Sequence, residues 1–147
     1  MRITYLLRAM GVLAAGVFLS VACAMEGASS ERIAVEIWRL GDIGGTVKFA
    51  DAVELEIHGS KRFRRSAGRQ PGTLIVSILT DVEQVEIANR RQSWYHVEFS
   101  TTDGRKLGTS SGACWADELS NCAKHVREVA EFAALRMGAS SSTSPSR

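Results

Sequence analysis

Three groups of residues in this chain have types and spacings that could do chemistry. Gly108-Thr109-Ser110-Ser111-Gly112 fits the G-x-S-x-G pattern of a nucleophile elbow, with His125 the sole downstream histidine. An elbow needs a buried strand before it, a helix immediately after it, and an acid and a histidine further along a large α/β sheet. Only 35 residues follow Gly112, and the pattern around it reads as antiparallel strands, so a serine hydrolase using Ser110 or Ser111 is a remote alternative. The segment reads instead as a loop of small residues leading to Cys114. The other histidines, His58 and His96, share no H-x-H or H-E-x-x-H spacing with it. The sequence therefore points to no metal and no cofactor. The carboxylate pairs Glu54/Glu56 and Asp117/Glu118 read as solvated faces.

The second group is basic. Lys61, Arg62, Arg64, Arg65 and Arg69 fall within nine positions around Phe63, just before Pro71-Gly72. Each such residue near an anionic surface contributes about 1 kcal/mol, so this is a candidate anionic-ligand patch. The plain alternative is a solvated hairpin loop paired with the Glu54/Glu56 face. If the host is eukaryotic, Arg62–Arg65 also fits a dibasic processing site.

The third group is the cysteines. Cys23 lies in the N-terminal segment, which leaves Cys114 and Cys122 as an even pair. In one continuous helix, residues eight apart would be about 12 Å from each other, whereas a disulfide needs Cα atoms within about 7 Å. Cys114 is therefore expected in a loop before a helix, with Cys122 in the first helical turns. The spacing is not C-x-x-C, and a structural disulfide is the expectation rather than a redox or metal pair.

The elements that must position these groups follow from periodicity. Ile33, Val35 and Ile37 alternate with Ala34, Glu36 and Trp38, a half-buried strand. Val53–His58 alternates strictly and is also expected to be a strand, punctuated by Gly44-Gly45 and Gly59. Thr73–Leu79 is an apolar run suited to a strand covered on both faces. Val82–Ala88 is a strand with Val85 and Ile87 on one face, Asn89–Gln92 a turn, and Tyr95, Val97 and Phe99 the inner face of the next strand. Asp103-Gly104 is a hairpin signal, with Arg105–Gly108 returning. A helix begins near Asp117 or Ser120 and ends at Met137-Gly138. Its apolar stripe is Leu119, Cys122, Val126, Val129, Ala130, Ala133 and Met137; Lys124, Arg127, Glu128 and Glu131 lie opposite.

The expected fold class is thus α+β: a small antiparallel sheet or partly open barrel of about six strands, capped by one C-terminal amphipathic helix. Residues 73–138 resemble the end of bacterial pleckstrin-homology-like domains. The likeness lies in the aromatic-aliphatic alternation of Tyr95–Phe99, the Asp103-Gly104 turn, and the helix Val126–Gly138 with its small-residue pattern around Phe132. That resemblance implies a binding scaffold without catalysis, in which a basic inter-strand loop can hold an anionic ligand.

Residues 1–24 hold Arg2, Arg8 and an uncharged apolar stretch ending Ala22-Cys23-Ala24. The apolar part, about a dozen residues, is short for a span of about twenty and has the pattern of a signal peptide cleaved after Ala24. Leu19–Cys23 also resembles a degenerate lipobox, which would make Cys23 a lipidation site, and an uncleaved anchor over Ile3–Met25 is the third option. All three place the remainder outside the cytoplasm: periplasmic or secreted, soluble or anchored. Residues 25–30 are a lead-in, 31–137 a single domain, and 138–147 a Ser-rich tail expected to be disordered.

The composition fits one globular domain: 147 residues, 45% hydrophobic, 23% charged, two prolines. Without residues 1–24 the chain carries sixteen basic and sixteen acidic residues, a poor balance for nucleic-acid binding. The sequence as a whole reads as a non-enzymatic exported envelope protein, an interaction module. Its expected partner is an envelope protein or an anionic membrane surface. An inhibitor or immunity-type protein of a periplasmic enzyme is the alternative.

Overall fold

The computed structural model describes residues 31–66, 68, 70–79 and 81–139. In chain order the elements are β1 (Ile33–Arg39), α1 (Gly44–Gly59), β2 (Phe63–Arg65), β3 (Leu74–Ile78), β4 (Glu83–Ile87), β5 (Arg90–Thr101), β6 (Lys106–Trp115) and α2 (Leu119–Ala139). The six strands form one mixed, unclosed sheet. β2 and β3 flank β1, both parallel to it. β5 pairs antiparallel with β3 through Val97–Thr101 and with β4 through Arg90–Trp94. β6 runs antiparallel along β5 and is the far edge. The α+β class, the count of about six strands, the unclosed sheet and the C-terminal helix agree with the sequence; the identity of the strands does not throughout, since β2 lies in the segment expected to be a basic loop.

Two expectations are corrected. The sheet is mixed rather than antiparallel, and a second helix occupies residues expected to form a strand. Val53–His58 belongs to α1. A residue pair four apart satisfies both a two-residue and a 3.6-residue period, so Val53 and Ile57 fit either reading. The wider segment decides. Thr46, Phe49, Ala50, Val53 and Ile57 are all buried, at helical spacing, while Leu55 is 76% exposed. Gly44-Gly45 and Gly59 therefore bound a helix. No side chain caps its start at Ile43. Thr46 ties the first turn down instead, donating to Asp81 at 3.3 Å and accepting from the Val82 N–H at 2.9 Å. The crossover through α1 is what lets β2 lie parallel to β1.

Both helices cover one face of the sheet. Val35, Leu74, Val76, Ile78, Tyr95, Val97, Phe99 and Leu107 meet Phe49, Val53, Ile57, Ala123, Val126, Ala130 and Ala134 in a single core. β3 is buried along its whole length, as its apolar run predicts. On α2 the expected stripe is buried or packed against the core at every position. α2 starts at Leu119, between the two expected caps, and continues one residue past Gly138. The helices run parallel, linked by Arg127 Nε to Glu56 Oε2 at 3.9 Å and by the Ser60 hydroxyl to Glu131 at 3.0 Å.

The turns show local chemistry. Asp103-Gly104 forms the expected hairpin, with Gly104 at φ +85°. The Thr101 hydroxyl donates to Asp103 and holds that carboxyl below its ordinary value. The β4–β5 turn is tighter than the predicted 89–92. It consists of Ala88 and Asn89, both left-handed at φ 48° and 62°, the backbone of a two-residue hairpin that follows the sheet twist.

Candidate functional site: the groove beside the sixth strand

Alternation along β5 and β6 sorts their side chains between the two faces of the sheet. Val97 pairs with Ser110, Tyr95 with Gly112 and Ser93 with Cys114, so these residues look toward the helices. Trp94 pairs with Ala113 and Gln92 with Trp115, on the opposite face. Trp38 of β1 shares that helix-free face by the same alternation, so all three tryptophans of the chain are there.

The placement of Cys114 fixes the site. It is the penultimate residue of β6, not part of a loop, and it bonds to Cys122 in the first turn of α2 with a Cα separation of 6.1 Å. The pairing itself is as the sequence predicts. The loop expectation fails because Gly108–Gly112 lies in β6, where pairing with β5 overrides its turn-like composition. The disulfide clamps the start of α2 to one end of β6. At the other end the Arg136 guanidinium donates to the Leu107 carbonyl at 2.7 Å. Around the disulfide lies a groove of about 480 Å³. Ser111–Trp115 form one wall, Glu118, Asn121, Cys122 and His125 the other, and Tyr95 also lines it.

The Tyr95 ring is held from below. It stacks on Phe49 with centroids 4.8 Å apart. A Cβ at residue 112 would come within 3.0 Å of its hydroxyl, so glycine there lets the ring lie against the strand. At the Trp115 end, Arg90 stacks over the Trp115 ring at 4.3 Å and reaches Asp117 at 3.1 Å and Glu118 at 3.3 Å.

The G-x-S-x-G pattern has no elbow to sit on, since it lies in mid-strand. The Ser110 hydroxyl is buried with no hydrogen-bond partner among the described residues, and Ser111 is exposed and, paired with His96, alternates to the helix-free face, away from His125. A buried hydroxyl without a partner carries its desolvation cost uncompensated. Ser110→Ala is therefore expected to leave stability unchanged or raise it by up to about 1 kcal/mol in urea unfolding; a loss above that would show a hidden partner.

The basic group is dispersed. Lys61 and Arg62 sit in the turn after α1, while Arg64 and Arg65 alternate on β2. Arg65 pairs with Glu54, and Arg64 Nε donates to the Arg32 carbonyl at 3.2 Å. Arg62 borders a second hollow with Glu128, Glu131, Phe132 and Leu135. His58 Nδ1 lies 3.6 Å from Glu54, one helical turn away, and His96 is on the helix-free face. Arg69, Cys23, the leader, residues 25–30 and the tail beyond Ala139 lie outside the described residues. Among the described residues no helix is long and apolar enough to cross a membrane.

No family model and no curated protein matches the chain. Among solved structures it is similar to a minor lipoprotein from Acinetobacter baumannii at 9% identity, over 76% of this chain and 94% of that one. The TM-score is 0.33, too loose to define a shared fold.

Proposed function

We propose that this protein is a non-enzymatic binding module of the cell envelope, engaging a protein partner through the groove between β6 and α2. The observation that carries the reading is the construction of that groove. Its two walls belong to different elements, and the Cys114–Cys122 bond joins them covalently across the groove. Such preorganisation lowers the ordering cost of binding. Export is supported by the basic-apolar-small pattern of residues 1–24 and by a disulfide suited to an oxidising compartment. The likeness of residues 73–138 to pleckstrin-homology-like domains favours the same class, a scaffold that binds. The inhibitor reading shares this surface and differs only in what the partner does.

The test is a photoreactive benzophenone side chain placed at Asn121 in the exported protein of the native host, with Asp51 on α1 as the control position. A single adduct from Asn121 alone is expected, reproduced with the purified partner. Equal adducts from both positions, or none, would remove the reading.

An anionic surface is the second candidate partner, supported by the exposure of Lys61 and Arg62 at one turn. Arg65 is engaged by Glu54 and Arg62 borders a hollow with Glu128 and Glu131, so acidic residues offset part of the positive charge there. Serine at 61, 62, 64 and 65 together is expected to change sedimentation with phosphatidylglycerol vesicles less than twofold. A loss of tenfold or more would restore the lipid surface as the partner.

A further inference from the structure

The geometry points to an extended peptide segment as the ligand of this groove, added to β6 as a further strand. The inference rests on the binding-module reading and narrows what is bound. It starts from how the sheet edges are protected. A free edge presents unpaired N–H and C=O groups that another chain can pair with, and proteins blunt such edges by shortness, charge or proline. β2 is three residues long and two of them are arginines. β4 is five residues long and carries Glu83 and Glu86. β6 has neither protection, and among the described residues α2 reaches its backbone only near its start, where the Leu107 carbonyl accepts from Arg136. It is ten residues long, and after Lys106 it reads Leu-Gly-Thr-Ser-Ser-Gly-Ala-Cys-Trp, with no charge and no proline. Among the described residues it pairs along one side only, with β5.

The long unprotected edge is the one that borders the groove. Small side chains at Gly108, Thr109, Ser111, Gly112 and Ala113 let a second backbone approach. A strand laid there would send alternate side chains toward the helix layer, over Tyr95, Cys114 and Cys122, and the others to the helix-free face. Main-chain pairing would supply affinity, and the groove would select the side chains. The occupant therefore has apolar residues at every second position.

Charge adds a polarity. At the Trp115 end Asp117 and Glu118 share the single guanidinium of Arg90, which leaves one negative charge in that cluster. A lysine or arginine at the matching end of the peptide complements it. A second copy of the chain fits less well. Its own β6 would present only glycine, threonine, serine and alanine over residues 108–113 and leave a groove of about 480 Å³ unfilled.

The test uses the full exported chain with its disulfide intact. A displayed library of random nonapeptides is selected against it, and the enriched peptides are synthesised. The expected peptides alternate apolar and polar residues and carry a basic residue near one end. When bound, they slow amide hydrogen exchange within residues 107–114 at least tenfold, with no comparable slowing in β4. N-methylation of the peptide at alternate amides weakens binding at least tenfold in one phase and less than threefold in the other, the signature of strand pairing. The proposal fails if enriched peptides leave their footprint elsewhere, or if both methylation phases are tolerated. It also fails if none enrich, if the outer β6 amides exchange slowly in the free chain, or if the chain dimerises through β6. A partner captured at Asn121 that leaves the β6 amides unprotected would sink strand addition while leaving the binding module standing.

Discussion

Phe49→Ala is expected to lower the unfolding free energy by about 3–5 kcal/mol, the usual cost of removing a fully buried phenylalanine. Phe49 has no exposed surface, and it joins α1 to the sheet through its stack on Tyr95. A domain of this size holds roughly 5–15 kcal/mol in total, so the variant is expected to melt 10 °C or more below the parent. Leu55→Ala, on the opposite side of α1 and 76% exposed, is expected to change stability by less than about 0.5 kcal/mol. The contrast tests the helix itself. In a strand over Val53–His58, Leu55 would share a face with Val53 and Ile57, and its truncation would be costly. Urea unfolding followed by tryptophan fluorescence measures both. A large loss for Leu55→Ala would show that α1 is misassigned.

Removing the disulfide is the second large effect. Replacing Cys114 and Cys122 together with alanine is expected to cost about 2–3 kcal/mol, from the loop-closure entropy of a crosslink spanning eight positions. Alanine is the informative choice because Cys122 is buried, and serine would add an unsatisfied hydroxyl. The loss is expected to be local as well as global. Trp115–Glu118 would gain freedom at the groove mouth, and amide exchange there should rise before the sheet opens. Treating the parent with dithiothreitol is expected to reproduce the shift. Equal stability of oxidised and reduced protein would mean that the crosslink constrains nothing.

What the sequence revealed depended on whether the relevant order was local. The strands β1, β3 and β5 were legible because alternation and apolar runs record which side chains are buried. The Cys114–Cys122 pair was legible from parity and from the length of a helical rise. α1 was misread because Val53 and Ile57 carry both periods, and the residues that resolve them, Thr46 and Phe49, precede the alternating stretch. The groove was not legible at all. Its strand wall, Ser111–Trp115, follows the Gly-Thr-Ser run of residues 108–110, whose small and hydroxyl residues locally favour turns, and the stretch becomes a strand only through pairing with β5. The basic cluster was legible as composition. Its dispersal was not, because alternation along β2 and the approach of Glu54 are tertiary facts.

The register also sets an orientation. Ile33, Phe63, Leu74, Thr101 and Lys106 lie at one end of the sheet, and Arg136 near the close of α2 reaches Leu107 at that same end. The start of β1 and the close of α2 therefore lie toward the same end of the sheet. The Ala88-Asn89 hairpin tip lies at the opposite pole, about 35 Å away along β5, and the sulfur bridge sits toward that pole. The bare edge of β6 runs lengthwise between these two poles and is reachable from the side.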